Sequence, residues 1–263
     1  MNKNNDYTSK KIIMVTGQGE YPIMVYNYLS THFNIKKFIV ESPINKKLFL
    51  KTRAKRLGWI KTISQIFMRM FIVPFLQFTS KKRIQNIKKS GNLNNTPVDP
   101  RIFMKIPSVN SEECITILKE IDPDVIIVVN TRIISEKVLK TIKAKFINIH
   151  AGITPKYRGF HGGYWALVNK DKENCGVTIH LVDKGIDTGD ILYQDTIEIT
   201  NEDNYYTYTY LQLVKGLPLL QQATIDVLKN NIKPITSENS PSTLYYHPTL
   251  WQYLFNRFIK KVK

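Results

Sequence analysis

Asn148, His150 and Asp187 are the side chains whose types and spacing suit a shared chemical task. Asn148 and His150 stand two apart at the end of a short apolar run, Phe146 to Ile149, that reads as a β-strand. Residues two apart on a strand share a face, so both side chains emerge together at its carboxyl end. Asp187 follows on a glycine-flanked turn after the next strand, close enough in the chain to reach back to an imidazole. An amide, an imidazole and a carboxylate converging in this way can stabilise an oxyanion and move protons, as acyl transfer requires. By themselves the three are weak evidence, because an Asn-x-His pair at a strand end more often marks a satisfied structural histidine.

The elements that must position them follow a βα alternation. Lys11 to Thr16 is a β-branched run ending at Gly17-Gln18-Gly19, with a helix expected over Tyr21 to Leu29 and a second strand over Ile35 to Glu41. The turn lacks the third glycine of a dinucleotide fingerprint, so its glycines are read as permitting the turn rather than as binding NAD or FAD. Ser90 to Pro107 is rich in turn residues and reads as a connection with one short strand. Ser111 then caps a helix running to Ile121, with Glu112 and Glu113 in its first turn, where they suit the helix dipole. Asp124 to Val129 is nearly all apolar, as a parallel strand buried on both faces should be, and a helix over Ser135 to Ile142 leads to the Phe146 strand. Val177 to Val182 and part of Thr188 to Ile199 complete the strands. Tyr205 to Lys229 reads as a long helix interrupted near Gly216-Leu217-Pro218, Pro234 to Pro248 as irregular, and Leu250 to Lys263 as a short basic amphipathic helix. The expected architecture is α/β, a doubly wound and mostly parallel sheet with a short C-terminal extension, divided into a catalytic domain over 1–200 and a helical segment over 201–263 packed on or beside it.

The block from Asn148 to Asp190 carries more than the three residues. Its Asn-x-His pair, the Pro-x-Tyr-Arg-Gly stretch at Pro155 to Gly159, the Gly-Val-Thr strand at Gly176, and Gly-Ile-Asp-Thr-Gly-Asp at Gly185 to Asp190 stand in one order and spacing. This block resembles the formyltransferase family, which includes glycinamide ribonucleotide transformylase, methionyl-tRNA formyltransferase and the sugar N-formyltransferases of bacterial polysaccharide pathways. The close resemblance runs from about Asp122 to Ile199. It implies a Rossmann-like formyltransferase fold, 10-formyl-tetrahydrofolate as formyl donor, no metal, and catalytic roles for Asn148, His150 and Asp187. It also implies that the pterin lies against the loop Asn130, Thr131, Arg132, Ile133 and Ile134 and the turn containing Asp183, Gly185 and Ile186, largely through backbone hydrogen bonds. Pro155, Tyr157, Arg158 and Gly159 then form the substrate loop, with Arg158 either supporting the loop or touching an anion. His161 and His180 are expected to be bystanders.

The 263-residue chain, 43% apolar and 22% charged, is long enough for one sizeable core. Cys114 and Cys175 show no zinc-ligand spacing, and the polar stretch from Met1 to Lys11 lacks the apolar core of a secretory signal, so a cytoplasmic setting is expected. The net charge of +17 is concentrated early: residues 1–110 hold 20 Lys and Arg against 4 Asp and Glu, and no acidic residue occurs from Ser42 to Val98. Such a segment attracts phosphates or anionic head groups, unless it is only a solvated face. Within it, Arg56 to Phe78 mixes aromatics and aliphatics with Arg and Lys around Pro74 and reads as too short and too charged to span a bilayer. Packing on the sheet or at a homodimer contact is preferred for it over an amphipathic helix at a membrane surface.

For the acceptor, a methionyl-tRNA formyltransferase is expected to add a substantial C-terminal β-barrel, for which only about 60 residues remain after the catalytic block. The positive charge is also N-terminal, so nucleic acid is not the expected partner. A nucleotide-linked amino sugar is the preferred acceptor, with its pyrophosphate as a reason for some of the basic residues. Arg56 to Phe78 and the C-terminal basic segment leave a lipid-linked or membrane-surface acceptor open as a variant. The alternatives are a truncated methionyl-tRNA formyltransferase, a non-catalytic protein that binds folate or a sugar nucleotide, and a 10-formyl-tetrahydrofolate hydrolase, whose usual preceding domain is not expected to fit.

Overall fold

A computed structural model of the chain describes residues 7–235 and 241–263. β1 (Ile12–Thr16), α1 (Glu20–Leu29), β2 (Ile35–Glu41), four helices α2 (Lys46–Leu57), α3 (Trp59–Phe67), α4 (Val73–Thr79) and α5 (Lys81–Ser90), and β3 (Phe103–Ile106) form the first half. They are followed by α6 (Glu112–Ile121), β4 (Val125–Val129), α7 (Glu136–Thr141), β5 (Lys145–His150), β6 (Tyr157–Gly159), α8 (Gly162–Val168), β7 (Gly176–Leu181), β8 (Ile191–Thr196), α9 (Tyr208–Leu228), β9 (Thr243–Tyr245) and α10 (Leu250–Phe258).

Seven strands make one sheet in the order β3-β2-β1-β4-β5-β7-β8. The pairings from β3 through β5 are parallel, and β7 and β8 join antiparallel at one side. This is the doubly wound, mostly parallel α/β sheet expected from the βα alternation. β1 and β4 are buried on both faces, which is why they read as unbroken apolar runs. Ile12, Met14, Val125 and Ile127 face a layer containing Met24 and Leu29 of α1 and Leu213 and Leu220 of α9. Ile13, Val15, Ile126 and Val128 face Ile115 and Leu118 of α6 and Val138 of α7. Ser111 and Ser135 cap α6 and α7 with their side chains, as the sequence indicated for Ser111.

α9 corrects the expectation of an interrupted helix. It is continuous over 21 residues with Pro218 inside. Pro218 lies on the exposed face, where the lost amide hydrogen bond is cheapest. Gly216 faces inward, where a Cβ would come within 2.7 Å of the Ile149 side chain, so its role is close approach to the sheet rather than a break. The Pro-rich stretch before α10 also contains order that its composition hides: β9 pairs in parallel with β6.

The largest departure is between β2 and β3. Trp59–Thr79 is a single helix, α3 and α4 joined through a π-helical stretch at Met68–Ile72, with Pro74 directly after the π-helical turn, where the hydrogen-bond register already shifts. Its 21 residues meet the length and composition of a membrane-crossing helix only marginally, and no membrane span is assigned to it. Nor is its apolar face used on the sheet. Thr62, Ser64, Met68 and Leu76 point inward, while Ile60, Phe71, Phe75 and Phe78 are exposed.

Leu213 is fully buried between α9 and the sheet. Leu213→Ala should therefore lower the unfolding free energy by about 2–5 kcal/mol. Urea denaturation followed by circular dichroism measures it, and a change within error would show that α9 is not part of the cooperative core.

Candidate active site

β5 and β7 are neighbours, and their register places Asn148 opposite His180 and His150 opposite Thr178. The side chains of Asn148 and His180 therefore meet on one face: Asn148 Nδ2 lies 3.0 Å from His180 Nε2. His180 Nδ1 lies 2.7 Å from the Leu181 carbonyl oxygen and donates to it, so Nε2 is the acceptor of the Asn148 amide. The other Asn148 amide proton faces Asp187 Oδ1 at a longer 3.5 Å. His180, expected to be a bystander, thus touches Asn148 and stands 3.6 Å from Asp187 Oδ1. The strand alternation of Val177 to Val182, set against Asn148, is the sequence signal that could have placed it.

Asp187 closes the constellation. Its residue adopts a left-handed φ of 52°, a conformation L-residues seldom take, and this turns the carboxylate back over the strand ends. Oδ2 lies 3.3 Å from His150 Nδ1 and accepts the Gly159 amide N–H at 2.9 Å. His150 Nε2 lies 2.8 Å from the Tyr157 carbonyl oxygen. Both ring nitrogens of His150 face acceptors, which favours the cation; burial opposes it and, as the larger effect, holds the pKa below the ordinary histidine value. For Asp187 burial acts upward, but the facing His150, the neighbouring His180 ring and the Gly159 amide together hold its carboxyl down at about 2. His150 is only 6% exposed, so the loop bearing Tyr157 covers it.

That loop is fixed from several sides. Tyr157 is buried and its hydroxyl donates to Asp171 Oδ2 at 2.7 Å. Arg158 Nη1 donates to the Ile186 carbonyl at 3.0 Å, while its buried Nε has no hydrogen-bond partner. Gly159 has φ 88°, and a Cβ there would sit 2.3 Å from the Tyr245 carbonyl oxygen of β9. Pro155 follows a cis peptide bond after Thr154.

The residues expected at a pterin lie along two nearby loops. Asn130, with φ 56°, turns the chain out of β4, and its carbonyl packs so closely on Gly17 that a Cβ there would be 2.2 Å away. Arg132 is held by Glu41, with its Nε 2.7 Å from the carboxylate and its amide N–H donating at 2.6 Å, so its guanidinium serves the loop. Ile134 is buried in the core, Ile133 is half exposed, and Thr131 lies between Asn130 and the Glu41-bound Arg132. Asp183 accepts from the Gly185 amide and the Thr188 hydroxyl, at 2.9 and 2.7 Å, shaping the turn that carries Ile186. Beside that turn lies a cavity of about 300 Å³ walled by Leu139, Ile142, Phe146 and Val182 and by Asp183. Lys143, Lys145, Thr188 and Asp190 complete the lining, so the cavity is polar as well as apolar.

A second polar cluster was missed by sequence reasoning. His161 stacks on Tyr205 with ring centroids 4.1 Å apart, and its Nε2 lies 3.2 Å from His247 Nδ1. Burial pushes His161 down to about 3 and holds His247 well below its ordinary value, with Arg53 and Arg69 adding positive charge nearby. Arg53 Nε donates to Gln65 at 2.7 Å, whereas its buried Nη2 has no acceptor.

Comparison with known proteins identifies the family. A family model described as Formyl transferase matches residues 70–215, more than half of the chain. The chain belongs to the formyl transferase family. Over 152 residues it is 35% identical to methionyl-tRNA formyltransferase of Finegoldia magna, covering 57% of this chain and 49% of that protein. The chain thus spans about half the length of the curated relatives it matches. A sugar N-formyltransferase from Shewanella sp FDAARGOS_354 superposes with a TM-score of 0.55 at 16% identity, over 88% of this chain and 75% of that one. The sugar 3N-formyl transferase WlaRD, solved in the presence of dTDP and 5-N-formyl-THF, gives a TM-score of 0.53 at 17% identity, over 89% and 69%. At these identities the structural likenesses establish the fold.

The Asp187 pKa has a consequence for stability. Its folded value of about 2 lies below the ordinary 3.8, so the ionised carboxylate stabilises the fold above about pH 4, and that contribution is lost as pH falls through 2. Urea midpoints of the wild type and Asp187→Asn should differ near neutrality and converge on acidification. A gap that stays constant with pH would contradict the assignment.

Proposed function

We propose that the protein is an N-formyltransferase that moves the formyl group of 10-formyl-tetrahydrofolate to the amine of a nucleotide-linked amino sugar. The observation that carries the transfer chemistry is the meeting of Asn148, His150 and Asp187, from β5 and the turn after β7, beneath the Tyr157 to Gly159 loop. In transfer, a bond forms between the amine nitrogen and the formyl carbon, the bond from that carbon to the folate nitrogen breaks, and one proton passes from the amine to the departing nitrogen. Asn148 holds one amide proton firmly on His180 and the other only at 3.5 Å from Asp187; the second is the one a developing oxyanion would take. His150 is assigned the relay of the amine proton, a role that requires its Nε2 to exchange the Tyr157 carbonyl for the acceptor, and Asp187 orients its ring and stabilises its charged form. The pterin is assigned to the cavity beside Asp183, whose lining includes Phe146, Val182, Asp183 and Thr188; the resemblance adds Asn130 to Ile134 and Gly185 to Ile186, which lie outside that lining. Asp183 and Asp187 belong to one turn, which links that cavity to the carboxylate facing His150.

The phosphate-bearing acceptor is supported by Arg53 and Arg69. Both add positive charge near His247, whose ring meets His161, and His161 is two residues from the Gly159 whose amide binds Asp187. The free Nη2 of Arg53 is a donor that a diphosphate oxygen would satisfy. The 35% identity to a methionyl-tRNA formyltransferase favours a second reading, in which the acceptor is a charged tRNA.

Mass spectrometry after incubation with 10-formyl-tetrahydrofolate and dTDP-, UDP- and GDP-linked amino sugars separates these readings. An N-formyl sugar supports the proposal. Product on charged initiator tRNA alone would move the acceptor to the second reading, and loss of donor without any acceptor product would indicate a hydrolase. His150→Ala and Asp187→Asn are each expected to cut kcat by about 100-fold or more while folate binding persists. Arg53→Ala should raise the acceptor KM and leave the folate KM unchanged.

A further inference from the structure

We infer that the helix Trp59–Thr79 and the adjoining α10 form a docking surface for an anionic membrane, on which the protein lies without being threaded through it. This goes beyond the formyl transfer proposed above and rests on different residues.

The helix is inside out by the standards of a water-soluble fold. Its large apolar residues Ile60, Ile63, Phe67, Phe71, Phe75 and Phe78 recur three or four apart, the spacing of a single helical face, and all of them are exposed. Ile60 is 85% and Phe78 80% exposed. Meanwhile the small polar side chains Thr62 and Ser64 face the protein. Phe67 and Phe71 stack on each other along the outer stripe, with centroids 5.7 Å apart. α10 repeats the pattern: Trp251, Phe255, Phe258 and Ile259 are exposed at the same kind of spacing, while Tyr253 and Asn256 are buried. The two helices are tied together, because the Leu250 amide donates to Ser64 Oγ at 3.1 Å and the Gln65 side chain donates to the His247 carbonyl at 2.5 Å. Two segments nearly 200 residues apart in sequence thus bring aromatic and aliphatic side chains into water side by side. Soluble proteins rarely leave so large an apolar area without a partner.

Charge identifies that partner. Neither 42–98 nor 241–263 contains an acidic residue, and Lys55, Lys61, Lys81, Lys82, Arg257 and Lys260 lie on or beside the two helices. Among the described residues of 42–98, only Arg83 and Lys88 form ion pairs. Pairing two copies through this face would bring like charges together. Anionic lipid head groups complement the charge, and the acyl region accepts the apolar stripe. Length alone would let Trp59–Thr79 cross a bilayer, but its inner side is committed along its length. Ser64 and Gln65 are bonded to the chain around α10, and Met68 and Leu76 sit in a core with Tyr157 and Tyr164. Crossing would strip those contacts away, whereas lying in the interface keeps them.

The surface also adjoins the site. Gln65 links the helix to Arg53 and to His247, whose ring meets His161. A membrane beneath the helices would lie on the side of the Arg53 cluster, within reach of an acceptor held at the lipid surface.

The test is cosedimentation of the purified full chain with phosphatidylcholine vesicles, with and without phosphatidylglycerol, at physiological salt. The wild type should pellet with the phosphatidylglycerol vesicles. Replacing Ile60, Phe71 and Trp251 together by Ser should weaken binding by about tenfold or more while circular dichroism and Tm stay unchanged, since all three are exposed. Lys61→Glu with Lys81→Glu and Lys82→Glu should remove the preference for anionic lipid. Absence of binding at physiological salt would overturn the inference. So would binding that ignores the apolar substitutions, since the charge would then be only a solvated face. Self-association in sedimentation velocity that the apolar substitutions abolish, without vesicle binding, would assign the face to a second copy. Resistance of the bound protein to alkaline carbonate extraction would replace docking with insertion.

Discussion

The Asp187 carboxylate is the constraint on which the site depends. One oxygen takes the Gly159 amide and faces His150, while the other faces Asn148 and His180. A single side chain thus fixes the ends of two strands and the loop that covers them. The carboxylate is placed by a left-handed residue in a turn that Asp183 ties off and Arg158 braces from the far side. The loop is held in turn by β9, which comes from the far end of the chain and leaves no room for a side chain at Gly159. The sheet supplies the platform, and these irregular segments supply the aim.

Much of this was legible in the residues because it is local. Apolar runs gave β1, β4 and β5, and serine caps with acidic first turns gave α6. Asn148 and His150 follow from strand alternation, and the glycine-flanked Asp187 from the turn after the next strand. What escaped depends on partners distant in sequence. β9 is three residues long, and its only evident reason to be a strand is β6, over 80 residues earlier. His180 enters the site through its register against Asn148, which neither strand reveals alone. Pro218 reads as a helix breaker, but the sheet packing of α9 outweighs one missing hydrogen bond.

The helix Trp59–Thr79 taught a different lesson. Its periodicity was visible in the sequence, yet periodicity says only that one face is apolar, not which way that face looks. Packing on the sheet or at a homodimer contact is the ordinary answer. Here the inward side is taken by Thr62, Ser64, Met68 and Leu76, and the aromatic stripe is left outside. The basic residues around it then cease to be incidental. The same stretch carries Gln65 and Arg69, which belong to the cluster at His247, so the surface helix and the acceptor side of the site share one scaffold.

The most direct measurement is a crystal structure of the protein with 5-formyl-tetrahydrofolate bound. The pterin is predicted in the cavity beside Asp183, with the reactive end of the folate directed at Asn148 and His150 and within about 3–4 Å of one of them, as a near-attack arrangement requires. A folate bound with that end turned away from both residues, or bound elsewhere while Asp187 keeps its contacts, would contradict the assignment of this constellation to formyl transfer.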